Sequence, residues 1–186
     1  MRVALYCQHV LGMGHLFRTL AIVEALSGHD RLLVLGGPRT PAAVPEVVAL
    51  LRLPVTLDKR LREQHFGQWT GRLWRDVPAD ALRAAEAAGW GFFPPEGESR
   101  EEVRLRAMHA LTDAARANTG KTVLVVTHQG VIKAVLYHLL GRAYLPEEPR
   151  AFDPNRLQRL VCQDGVLSVD ALDVDFPEAP QAPAAP

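Results

Sequence analysis

The sequence is short of cysteine, of net charge and of long apolar runs, and each shortage closes off a class of protein. Its only two cysteines, Cys7 and Cys162, lie far apart, each inside an apolar strand-like run. That leaves no disulfide framework and no thiolate metal site, and both read as buried thiols in a reducing cytoplasm. Lysine plus arginine equals aspartate plus glutamate at 21 each, so no charge excess points to nucleic acid or a membrane surface, and any anion must be gripped locally. No apolar stretch approaches the ~18 residues of a membrane span. The opening MRVALYC has neither the apolar core nor the cleavage site of a secretory leader. A soluble, unexported protein is expected, with no cofactor, no metal, no nucleic acid and no membrane. No internal repeat is present.

What the chain does have is apolar content, 48% of its 186 residues, enough for one substantial core. The organising stretch is VLVVTHQGVIKAVL, residues 123–136. Four β-prone residues, Val123–Val126, make a short buried strand, and the turn Thr127-His128-Gln129-Gly130 leads into an apolar-periodic helix over 131–140. A histidine thus sits where strand becomes helix, beside free backbone N–H groups that suit an anion. Earlier in the chain, strands are expected at 2–7, 31–35 and 54–57, separated by helices at 16–26 and 45–51, an alternation that argues for a parallel sheet. Residues 58–78 are polar and studded with aromatics. An alanine-rich helix at 80–88, a Gly/Pro/aromatic loop at 89–99 and a long helix at 100–118 follow, with Ser99 as N-cap and Glu102 placed for a capping box. Residues 157–162 and 166–169 flank an Asp-Gly turn and read as a hairpin. The Pro/Ala-rich tail 176–186 is expected to be disordered.

Among these residues, His128 is one donor for a phosphoryl group, and Glu63 in LREQHFG is a carboxylate able to serve as acid and base if it faces the same crevice. As isolated residues they read first as a histidine satisfied in a turn and a solvated surface carboxylate. His15 belongs to a glycine-bearing turn, with a capping role open beside a ligand role. His29, His65, His109 and His138 read as surface or boundary residues without metal-ligand spacing. Trp69, Trp74, Trp90, Phe92 and Phe93 read as lid or core packing.

Three segments in order, LREQHFGQWTGRLWRDVP (61–78), PPEGESREEVRLRAMHAL (94–111) and KTVLVVTHQGVIKAVLYHLLG (121–141), resemble the core of the histidine phosphatase superfamily, the phosphoglycerate-mutase-like phosphatases. The resemblance implies a three-layer α/β/α sandwich on a mainly parallel sheet, with the site at the carboxyl ends of the strands. It also implies hydrolysis of a small phosphorylated substrate through a phosphohistidine, without a metal. By it, Glu63 matches the acid/base carboxylate, His128 the second active-site histidine, Gln129 a position whose N–H faces phosphate, and Arg106 a structural arginine. The region between Glu63 and the long helix matches the roof of the substrate site.

The family's nucleophile lies in an Arg-His-Gly motif after the first strand, and this chain has none. His9 takes that place, preceded by Gln8 and followed by Val10; Gln8 supplies no guanidinium fork. Arg39 matches a second family arginine, but only 30 residues after His9, a shorter interval than is usual. Residues 2–38 instead resemble the start of glycosyltransferases of the GT-B architecture, through a Gly-Met-Gly-His turn. The expectation is a single domain over 1–175, with a glycosyltransferase-like start at 2–38 and a phosphatase-like core at 55–170. A homodimer is entertained. Two other readings stand beside the phosphatase: a catalytically inactive phosphatase-like binding domain, and an acceptor-binding remnant of a glycosyltransferase.

Overall fold

The computed structural model describes residues 2–7, 31–35 and 55–175. Its framework is a six-stranded sheet formed by β1 (Arg2–Cys7), β2 (Arg31–Leu35), β3 (Val55–Leu57), β4 (Thr122–Thr127), β5 (Leu157–Gln163) and β6 (Val166–Val174), in the order β3-β2-β4-β1-β5-β6. The first four strands run parallel to one another, whereas β5 is antiparallel to both β1 and β6. The sheet is therefore mixed, four parallel strands extended by the hairpin that the Asp-Gly turn predicted. Asp164 and Gly165 both adopt positive φ there, as a tight hairpin of this kind requires.

The all-β-branched-or-leucine run of β4 is buried at every position from Val123 to Thr127. That suits a strand with neighbours on both sides and both faces covered. Three α-helices are described: α1 (Ala79–Ala87), α2 (Arg100–Ala117) and α3 (Gln129–Leu139). The capping box at the head of α2 is present. Glu102 N–H donates to Ser99 Oγ at 3.1 Å and Ser99 N–H donates to the Glu102 carboxylate at 2.7 Å. The helix buries a stripe of Val103, Ala107, Ala110, Leu111 and Ala115, a 3–4 spacing that keeps one face inward although most of the helix is polar. In α3 nearly every residue from Val131 to Tyr137 is buried. These two helices, with Val123, Val125 and Leu160 of the sheet, form one core.

A smaller cluster of Trp69, Val77 and Phe92, backed by Phe66, Leu82 and Ala85, holds the region between β3 and α2 together. The aromatics of this region thus pack on one another, while Leu73, Trp74 and Phe93 remain exposed. Among the described residues no helix is long and apolar enough to cross a membrane. Two expectations need correction. Helix α3 begins two residues earlier than the apolar period suggests, because His128 is itself the extended N-cap and Gln129 and Gly130 already have helical geometry. Cys162 is only partly buried, since it lies on β5 beside the hairpin turn, one residue past the last β5 residue paired with β1. The helices expected at 16–26 and 45–51, the turn bearing His15, and His9, Gln8 and Arg39 lie outside the described residues.

Candidate functional site

The carboxyl ends of the four parallel strands share one edge of the sheet: Cys7 pairs with Thr127, Leu35 with Val126 and Leu57 with Leu35. His128 follows β4 directly, and Glu63 follows β3 after a 3-10 turn at Lys59–Leu61. The structure brings the two together, with the Glu63 carboxylate 3.8 Å from His128 Nδ1. The imidazole is nearly enclosed, its side chain 11% exposed against 37% for Glu63. Its Nε2 is buried with no hydrogen-bond partner among the described residues. A buried polar nitrogen left unpaired costs free energy unless something else meets it.

Around this pair the first turn of α3 offers its own donors. The first intrahelical bond runs from Ile132 N–H to His128 C=O at 3.0 Å, so the N–H groups of Gln129, Gly130 and Val131 have no carbonyl within the helix. They lie at the positive end of the helix dipole, with the Glu63 carboxylate beside them. Glu63 Oε1 lies 2.6 Å from the point where a Cβ on Gly130 would be. Gly130 is therefore a site residue that periodicity could not reveal, since its role is to leave room for a side chain 67 positions away.

The main chain beneath Glu63 is fixed from several directions. Thr127, the last residue of β4, donates its hydroxyl to Leu61 C=O at 2.6 Å in a buried bond. Arg106 of α2 donates to the carbonyls of Arg60, Arg62 and Glu63 at 2.5, 2.8 and 3.2 Å, and pairs through Nε and Nη2 with both oxygens of Glu98 at 2.6 and 2.9 Å. Burial would raise the Glu98 carboxyl, but the Arg106 hydrogen bond and charge, with help from His65 N–H and Arg62, hold it below its ordinary range. The loop before α2 is laced to the same segment: Glu98 N–H donates to His65 C=O and Gln68 N–H to Pro95 C=O, at 2.8 and 2.9 Å. A Cβ on Gly67 would fall 2.0 Å from Pro95 O, and one on Gly97 2.6 Å from His65 O. Both glycines are needed for that close approach. The first two motif segments, LREQHFG and PPEGES, are thus one interlocked unit.

A sequence profile of the histidine phosphatase superfamily (branch 1) matches residues 38–174. The chain belongs to that superfamily. A glucosyl-3-phosphoglycerate phosphatase from Mycolicibacterium vanbaalenii is 35% identical over 138 residues, which cover 67% of this chain and 60% of that protein. A metal-independent phosphoserine phosphatase from Arabidopsis thaliana is 34% identical over 83 residues, covering 40% of this chain and 33% of that one. The chain therefore spans between a third and three-fifths of the length of these curated relatives. Among solved histidine phosphatase folds, Bacillus stearothermophilus YhfR superposes with a TM-score of 0.74 at 21% identity, covering 94% of this chain and 96% of the other. The two curated relatives are named as phosphatases, of glucosyl-3-phosphoglycerate and of phosphoserine.

Proposed function

We propose that this chain hydrolyses a small phosphomonoester through a phosphohistidine, without a metal. The observation carrying this reading is the Glu63–His128 pair at the head of α3, with a buried Nε2 that has no partner among the described residues and helix N–H groups that have no carbonyl within the helix. In the proposed reaction His9 attacks phosphorus and Glu63 protonates the leaving oxygen. Glu63 then takes the proton of the water that releases phosphate. His128, Gln129 N–H, Arg39 and Gln8 hold the phosphoryl oxygens while charge spreads over them. Support for His9 is positional: β1 ends at Cys7, in register with Thr127, so the chain leaves the sheet beside His128 two residues before His9. The relatives' substrates, phosphate esters of glycerate and serine derivatives, indicate the size and chemistry of the ester. A three-layer sandwich, a single domain over 1–175 with a glycosyltransferase-like start, and a cytoplasmic location belong to the same reading.

Turnover of p-nitrophenyl phosphate tests it. His128→Ala and Glu63→Gln are expected to lower kcat/KM by about a hundredfold or more each, and His9→Ala to abolish phosphoenzyme formation. Activity that survives His9→Ala would sink the nucleophile assignment. One observation favours a second reading, a binding domain without turnover: the superfamily profile begins at residue 38, beyond the segment where the Arg-His-Gly motif belongs. Phosphate binding dependent on His128, with no hydrolysis by the wild type, would select it.

A further inference from the structure

Beyond the Glu63–His128 pair, two cations are held in an aromatic surround with no ion pair to an acid among the described residues. Lys133 of α3 places Nζ 4.8 Å from the ring centre of Tyr137 and 4.4 Å from that of Tyr144. Arg100, the first residue of α2, places its guanidinium carbon 4.2 Å from the centre of Phe92 and 4.1 Å from the same Tyr144 ring. One guanidinium nitrogen donates to the carbonyls of Gly89 and Tyr144, at 3.0 and 3.2 Å. Neither residue has an ion pair among the described residues, and Lys133 Nζ donates no hydrogen bond there.

The acids whose charge reaches them, Glu148 for Lys133 and Glu86 for both, form no ion pair with either among the described residues. Glu148 spends its two oxygens on the N–H groups of Ala143 and Leu145, each at 3.0 Å. Glu86 acts on both cations only at a distance. Burial pulls the Lys133 ammonium below its ordinary range, and the charge of Arg100 pulls it further in the same direction. A single cation over a ring is ordinary packing. Two cations sharing one ring repel each other, and Glu148 and Glu86 offset that repulsion only through space, without an ion pair to either cation among the described residues.

The arrangement is also rigidly built. Tyr144 is held at φ +66°, a costly value for a bulky residue. Its ring is boxed by Trp90 and Tyr137, each with centroid 5.0 Å away. Trp90 in turn donates its indole N–H to Arg142 C=O at 2.8 Å. This box adjoins the candidate site. Lys133 stands three residues after Gly130 and four after Gln129, so it lies on their face of α3, about 5.4 Å along the axis. Burial raises the Tyr144 phenol, and the Glu63 charge contributes in the same direction, as a neighbour would.

We infer that Lys133 and Arg100, gathered around Tyr144, form a carboxylate-binding subsite that selects phosphorylated hydroxy or amino acids. The inference rests on reading Glu63 and His128 as the phosphoryl site. One helical turn between that site and Lys133 is of the same order as the span from the phosphorus to the carboxyl carbon in such esters. Lys133 supplies three donors that have no acceptor among the described residues, and Arg100 the side of its guanidinium fork turned away from Gly89 and Tyr144, a charge-assisted match for two carboxylate oxygens.

The test compares 3-phosphoglycerate with glycerol 3-phosphate, which replaces the carboxylate by a hydroxymethyl group. The wild type is expected to favour 3-phosphoglycerate in kcat/KM by about tenfold or more, the value of one charge-assisted hydrogen bond. Lys133→Met should reduce that ratio about tenfold, Arg100→Gln should reduce it further when combined, and Lys133→Arg should restore most of it. No preference in the wild type, or losses in Lys133→Met that are equal for the two esters, overturns the subsite. If neither ester is hydrolysed, calorimetric binding of the same two compounds decides separately. Tighter binding of 3-phosphoglycerate that depends on Lys133 keeps the subsite while the hydrolytic reading fails. Equal binding, or none, removes it.

Discussion

The segment carrying Glu63 and the turn carrying His128 meet at one site but are built on opposite principles. The Glu63 segment is a lattice of satisfied groups, with three carbonyls held by Arg106, one by Thr127, and the loop at 94–98 bonded along its length. The His128 turn is the reverse: a buried ring nitrogen without a partner among the described residues and a helix end whose first N–H groups find no carbonyl in the helix. One half supplies position and the other supplies unmet hydrogen-bonding capacity. A site that stores its unpaired donors on one side can bind an anion tightly only if the other side does not move, since small displacements of a positioned group are costly in rate.

Three substitutions probe that division. The largest effect is expected from Arg106→Leu, which strips three carbonyls of their donor and leaves the Glu98 carboxylate, 12% exposed, with only the longer contacts to His65 N–H and Arg62. A loss of about 3 kcal/mol or more in unfolding free energy is expected, readable by urea denaturation; an unchanged midpoint would mean that Arg106 does not hold the segment. Gly130→Ala separates position from stability. Its Cβ would displace the free end of the Glu63 side chain, so kcat should fall by about tenfold or more. Stability should change by less than about 1 kcal/mol, because alanine favours a helix. Equal wild-type and variant rates would show that Glu63 need not sit where it does. The smallest effect concerns pH. The Glu98 carboxyl is held below its ordinary value of 4.5, so its contribution is full above that pH and fades as pH falls through the depressed folded value. Glu98→Gln should therefore flatten the acid-side decline of stability by less than about 1 kcal/mol, seen in denaturation midpoints at mildly and strongly acid pH.

Local pattern made much of this legible. The β4–α3 junction, the capping box at Ser99 and Glu102, the Asp-Gly hairpin and the meeting of Glu63 with His128 all follow from residues whose role is set within a few positions or by motif order. The roles that escaped are set across distance. That Arg106 occupies a structural helix position could be read, but its targets are carbonyls 43 to 46 residues away, and a carbonyl carries no residue identity. Gly130 is in helical conformation, so nothing in its own backbone demands glycine; the demand comes from Glu63. Arg100 and Lys133 lie 33 positions apart on different helices, and only the fold turns them towards one ring. Cys162 sits in an apolar run, yet its place near the end of the hairpin leaves it partly open, because a strand pattern reports the face of a sheet and not its margin.

The buried hydrogen bond from Thr127 to Leu61 spans 66 residues and has a kinetic consequence. It cannot form until β4 has docked beside the turn that follows β3, so Glu63 and His128 come into register only when one of the longest loops in the described chain has closed. During refolding, helix signal should therefore recover before the site does, and the appearance of catalytic competence would time the last stage of folding.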